Sequence, residues 1–144
     1  MENKVMVLPC SGIGKAYGEI GRQAVYELVE DLRRDDVTTT CLGRLMIDDP
    51  EAKALVQNKI VITIDGCTQD CARKTVESSG KKVECALRVI EAIKKNRGLK
   101  PEGILELGEP GDRSGAGAAV GSGESGCVSG GRPTQDLQQQ RDDG

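Results

Sequence analysis

Ile60-Val61-Ile62-Thr63-Ile64 is an unbroken run dominated by β-branched residues. Such a run carries no alternation of apolar and polar positions, which is the pattern of a strand buried on both faces and is characteristic of parallel sheets covered by helices. The requirement shapes the rest of the chain, because parallel strands need crossover segments between them. The sequence supplies these. A strand over residues 4–8 is followed by a helical repeat in which Ile20, Ala24, Val25, Leu28, Val29 and Leu32 make one apolar face, while Glu27, Glu30, Asp31, Arg33 and Arg34 stay in water. A second strand is predicted over Val37 to Leu42. Pro50 then fits the first turn of a short helix, with Asp49 as its N-cap.

Beyond the central run, residues 68–79 read as a helix stopped by Gly80. Val83, Cys85, Leu87 and Val89 alternate as a fourth strand, followed by a helix to Arg97 with Gly98 at its C-cap, and residues 104–107 read as a last short strand. Strand, helix and strand in succession predict an α/β fold: a small, open, mostly parallel sheet with flanking helices in three layers, joined by right-handed crossovers. The folded domain is expected over residues 1–108. After Gly108 the chain turns to glycine, serine and alanine, with Gln138-Gln139-Gln140 near its end. Residues 109–144 have too little apolar mass to offset the entropy of ordering them, and are expected to form a disordered Gly-rich tail.

Three of the six cysteines close predicted strands: Cys10 after the first, Cys41 after the second and Cys67 after the third. Cys71 follows Cys67 one helical turn later. The carboxyl ends of parallel strands share one edge of the sheet, where ligands bind, so four thiols scattered along the sequence can meet there. The Cys67–Cys71 spacing falls in the range used by zinc sites, and tetrahedral sulfur coordination needs four such donors. Helix N-termini after Cys10 and Cys67 would favour thiolates. The plainer alternative is that these are small buried apolar side chains. That alternative is the better one for Cys85, on the apolar side of its strand, and Cys127 in the tail reads as incidental.

Composition narrows the chemistry. The chain has no histidine, so any metal must be held by Cys, Asp, Glu, backbone or water, and a Cys–His nucleophile pair is excluded. A net charge of −3, with aromatic residues at 1 %, argues against a nucleic-acid partner or a charged membrane surface. No apolar run approaches the roughly 20 residues of a membrane span, and no signal-peptide pattern precedes the first strand. The expectation is a cytoplasmic protein, in which cysteines are more often metal-binding, catalytic or redox-active than disulfide-bonded.

The loop Cys10-Ser11-Gly12-Ile13-Gly14-Lys15 joins a strand to a helix and can expose N–H groups to an anion through Ser11, Gly12, Gly14 and Lys15. It does not have Walker spacing. It also misses the dinucleotide fingerprint, with Tyr17 at the required place and Gly18 one residue late. It lacks the arginine of a cysteine-phosphatase loop. It is similar to the phosphocysteine loop of the sugar phosphotransferase IIB proteins, which implies Cys10 as a nucleophile in phosphocysteine or thiol-redox chemistry. A tight strand-to-helix turn explains the same residues. Asp65 could be a second-shell acceptor, a metal ligand or a turn former before Gly66. Asp35-Asp36 and Asp48-Asp49 suit solvated loops and a cap.

Pro9-Cys10-Ser11-Gly12-Ile13-Gly14-Lys15, then Asp65-Gly66-Cys67 with Cys71, then Leu99-Lys100-Pro101-Glu102-Gly103, occur in this order. Together they resemble the DGC family, small prokaryotic proteins named for the Asp-Gly-Cys motif, over about residues 4–108. The resemblance implies zinc held by Cys10, Cys41, Cys67 and Cys71, in a structural, regulatory or metal-handling role, and implies no particular reaction or protein partner. Four thiolates suit an iron–sulfur cluster as well. The chain departs from the family pattern after Pro110, where a charged helix is expected.

Overall fold

A computed structural model describes residues 5–98 together with Pro101 and Gly103. The predicted strand at 104–107, the tail at 109–144 and Cys127 lie outside the described residues. Within them the order is β1 (Val5–Pro9), α1 (Ala16–Glu27), β2 (Val37–Thr38), α2 (Leu42–Met46), α3 (Pro50–Gln57), β3 (Ile60–Asp65), α4 (Cys71–Ser78), β4 (Cys85–Arg88) and α5 (Val89–Lys95). The four strands form one parallel sheet in the order β2-β1-β3-β4. β3, the β-branched run, is central. Pro9 has no N–H to give the ladder, and pairing resumes one residue later, where the Cys10 N–H donates to the Ile64 carbonyl at 3.0 Å.

Alternation along the strands divides the core in two. Met6, Leu8 and Val61 face α2, α3 and α4, and pack against Leu42, Leu45, Ala52, Val56, Ala72 and Val76. Val7, Val37 and Ile64 face the other way, onto Ile20, Val25 and Leu28 of α1 and its extension and Val89 of α5. The result is the expected three-layer α/β arrangement. The chain leaves β1 across one face to reach β2, then crosses the other face by α2 and α3 to reach β3 on the far side of β1. This reversal makes the carboxyl ends of β1 and β3 a topological switch point, the place where such sheets open a crevice.

Several boundaries differ from the sequence-based expectation. β2 is two residues long and not six, because this edge strand pairs only with β1 and the chain turns away so that Leu42 and Leu45 of α2 reach the core. α1 ends in a π-helical turn over Leu28–Leu32, closed by the Arg33 N–H on the Leu28 carbonyl at 2.8 Å. The wider turn shifts the helical register, and Leu32, which 3.6-residue spacing puts on the apolar face, is 57 % exposed. The helix expected at 68–79 starts only at Cys71, since Asp70 adopts a left-handed conformation (φ 53°) that interrupts it. β4 covers Cys85–Arg88, and Val89 already opens α5, which stops at Lys95. Asp49 caps α3 as expected, its carboxylate accepting the Glu51 N–H at 2.9 Å.

A candidate thiolate site at the carboxyl edge of the sheet

Three glycines let the backbone close up at the switch point. Gly12 (φ +57°) and Gly18 lie so near each other that a Cβ on Gly12 would stand 2.3 Å from the Gly18 Cα. A Cβ on Gly66 would stand 2.8 Å from the Gly18 nitrogen. The β1–α1 loop, the start of α1 and the β3–α4 loop therefore touch backbone to backbone. The Gly66 peptide is held at both ends: its N–H donates to the Cys10 Sγ at 3.3 Å, and its carbonyl accepts the Ile90 N–H of α5 at 3.2 Å.

Cys10 follows β1 and is 7 % exposed. Burial pushes its thiol above the ordinary value. The Gly66 N–H opposes this, and negative charge on Asp65, Cys71 and Cys67 adds to it. A thiol shifted in this direction is poorly suited to act as a low-pKa nucleophile near neutral pH.

Asp65, at the end of β3, is 1 % exposed. Its carboxylate accepts the Ala72 N–H at 2.7 Å and the Arg73 N–H at 3.2 Å, so it caps α4 from five residues before the N-cap position. Burial raises its pKa and the two N–H groups pull it back. The residue formally at the N-cap, Asp70, cannot do this work. Its carboxylate is engaged by Arg88, with Nε–Oδ1 at 2.7 Å and an Nη2–Oδ2 distance of 2.6 Å, and the pair pins the Thr68–Asp70 loop to β4. The cap fixes where α4 begins, and Cys71 is its first residue, exposed beside the buried Cys10 cluster. Cys67 is half-buried, its Sγ 3.8 Å from the Lys15 Nζ.

The structure thus gathers Cys10, Cys67, Cys71 and Asp65 around the turn from β3 to α4. Asp65 is a helix cap and not a turn former. Cys41 shares the edge but stands apart: it precedes α2, is exposed, and lines a different cavity of about 350 Å³ with Ser11, Arg22, Tyr26 and Thr40. Among the described residues no three Cys, Asp or Glu side chains already stand together at metal-binding spacing. In the loop, the Ser11 carbonyl accepts from Arg22, which also pairs with Glu19. Arg88 and the contact role of Gly18 are the functional features that sequence reasoning missed. Gly18 was visible as a glycine out of place for a nucleotide fingerprint. Arg88 gave no local signal, since its partner lies on another element.

The DGC domain family model matches residues 6–107. No curated protein and no solved structure matches the chain. No helix among the described residues is long and apolar enough to cross a membrane.

Proposed function

The chain belongs to the DGC domain family, and we propose that it binds one zinc ion through the thiolates of Cys10, Cys67 and Cys71, with Cys41 as the fourth donor. The observation that supports this reading is that the Asp65-Gly66-Cys67 turn lies against Cys10 at the β1/β3 switch point, the Gly66 N–H donating to the Cys10 sulfur, with Cys71 set at the start of α4 by the Asp65 cap. The donor chemistry fits the ion. Soft thiolates are its usual ligands, and the Gly66 N–H donating to the Cys10 sulfur is the kind of outer-shell contact that steadies a metal-bound thiolate. A cation among these sulfurs would also offset the cost of ionising the buried Cys10 thiol. Cys67 and Cys71 are the more accessible thiols, and capture requires them to rotate toward Cys10.

In this reading Cys10 is the buried anchor, Asp65 and Gly66 hold the backbone, and Cys41 must swing in from its neighbouring cavity before α2. A site closed by four sulfurs suits a structural, regulatory or metal-handling role in a reducing, cytoplasmic setting. The test is elemental analysis of protein purified without chelator, with a visible spectrum alongside. About one colourless zinc per chain is expected. Cys10→Ser, Cys67→Ser or Cys71→Ser should each abolish retention, and Cys41→Ser should weaken it. Full metal content in any of the first three variants overturns the assignment. Charge-transfer bands with bound iron would replace zinc by an iron–sulfur cluster.

A further inference from the structure

Cys67 also lines a cavity of about 470 Å³ between the start of α1 and the start of α5, bounded by Lys15, Ala16, Tyr17, Ile90 and Pro101. That volume suits one small molecule. Among the described residues, which also include Gly103, the side chains of its lining are apolar apart from the Cys67 sulfur, the Lys15 ammonium and the Tyr17 hydroxyl. Among the described residues Lys15 pairs with no carboxylate, and its polar neighbour is the Cys67 Sγ at 3.8 Å. The other cations of this edge are already matched: Arg22 with Glu19, and Arg88 with Asp70 and Glu91. Lys15 is exposed and lies between Gly12 and Gly18 of the Gly12–Gly18–Gly66 contact, which fixes the loop before α1 against the loop that carries Cys67.

We infer that this cavity binds a small organic monocarboxylate, its charged group on Lys15 and its short hydrocarbon part against Tyr17, Ile90 and Pro101, beside the Cys67 sulfur. One cation above an apolar floor favours a monoanion with an apolar body. A phosphate dianion would leave its second charge without a cation, since Lys15 is the one cationic side chain among the described lining residues. The cavity shares Cys67 with the proposed metal site, but its charged anchor, Lys15, is not a metal donor, so metal content and carboxylate binding are measured separately and either can fail alone.

The experiment is an NMR titration of the full ¹⁵N-labelled chain with sodium acetate, propionate and butyrate, and with sodium phosphate, at constant ionic strength. Saturable shifts are expected at the amides of Ala16, Tyr17, Cys67 and Ile90. Each added methylene should tighten binding by up to about fourfold as it leaves water. Lys15→Gln should weaken butyrate about tenfold, the scale of one charge-assisted hydrogen bond. Lys53→Gln, which removes a lysine paired with Asp48 elsewhere, should change nothing. The inference is overturned by any of four results: no saturable shift, shifts centred on the Arg22–Thr40–Cys41 cavity, butyrate binding indifferent to Lys15→Gln, or phosphate binding more tightly than butyrate.

Discussion

Replacing Asp65 by alanine tests whether the first residue of the Asp-Gly-Cys motif acts as a helix cap. The carboxylate accepts two N–H groups at the start of α4, at 2.7 and 3.2 Å, and α4 has no other side-chain cap because Asp70 is turned away by its left-handed backbone. Ala72 is fully buried. Its N–H would lose its partner out of reach of water, which costs about 1–3 kcal/mol, while the Arg73 N–H lies nearer the surface and can be hydrated. Loss of an N-cap costs about 0.5–2 kcal/mol by comparison with other helices. Against this stands the cost of burying the charge, whose sign is read from the raised pKa of Asp65; alanine removes it. The balance comes to about 1.5 kcal/mol of lost stability. In urea, with a slope of about 1–2 kcal/mol per molar, the unfolding midpoint should fall by about 1 M. Asp65→Asn keeps an acceptor for the Ala72 N–H and should lose less than half as much. An alanine variant within about 0.5 kcal/mol of the parent would refute the cap. An asparagine variant as damaged as the alanine one would show that charge, and not capping, is what the site requires.

Two glycines separate close approach from backbone strain. Gly66→Ala places a methyl 2.8 Å from the Gly18 nitrogen, where only backbone can give way, and should cost about 3 kcal/mol or more. Gly14→Ala meets nothing within 4 Å but keeps a φ of +84°, and should cost only about 1–2 kcal/mol. Urea midpoints compare them directly, and equal losses would contradict the packing argument. Glu19 is held below its ordinary value of 4.5 by the Gln23 amide and then by Arg22, which together outweigh burial. A carboxylate depressed in the folded state stabilises the fold above its unfolded pKa, and that stability is lost as the pH falls through the folded value. Glu19→Gln should therefore melt below the parent at neutral pH and converge with it as the pH falls below the depressed folded-state value. The same offset at neutral and acid pH in thermal melts would show that the effect is not one of titration.

What could be read from the chain was local. β-branched runs located β1 and β3, 3.6-residue spacing located α1, and a proline after an aspartate located the cap of α3, because each depends on neighbours within a turn or a pleat. That Cys10 and the Asp65-Gly66-Cys67 turn lie at one edge also follows from the chain, because the carboxyl ends of parallel strands share an edge. Cys41 does not close a strand as that reasoning expects, since the edge strand before it ends at Thr38 and the chain spends the next residues reaching α2. Contacts between distant elements could not be read: Arg88 on Asp70, Gly12 on Gly18, and Gly66 on both Cys10 and Ile90.

The Asp-Gly-Cys motif itself falls between these cases. Its three residues are consecutive, yet each serves a different neighbour: Asp65 caps α4, Gly66 makes room for α1 while bonding Cys10, and Cys67 emerges beside Lys15. The chain is leaving β3 at this point, so successive side chains are directed to different elements within one short step. Inserting a single residue between Asp65 and Cys67 would leave the strand and the sheet order unchanged. It would still move the sulfur off the switch point, because the cap and the glycine contact fix the backbone on either side. Spacing within this triplet, more than the identity of any one member, is what brings a thiol, a buried carboxylate and an ammonium to one edge of the sheet.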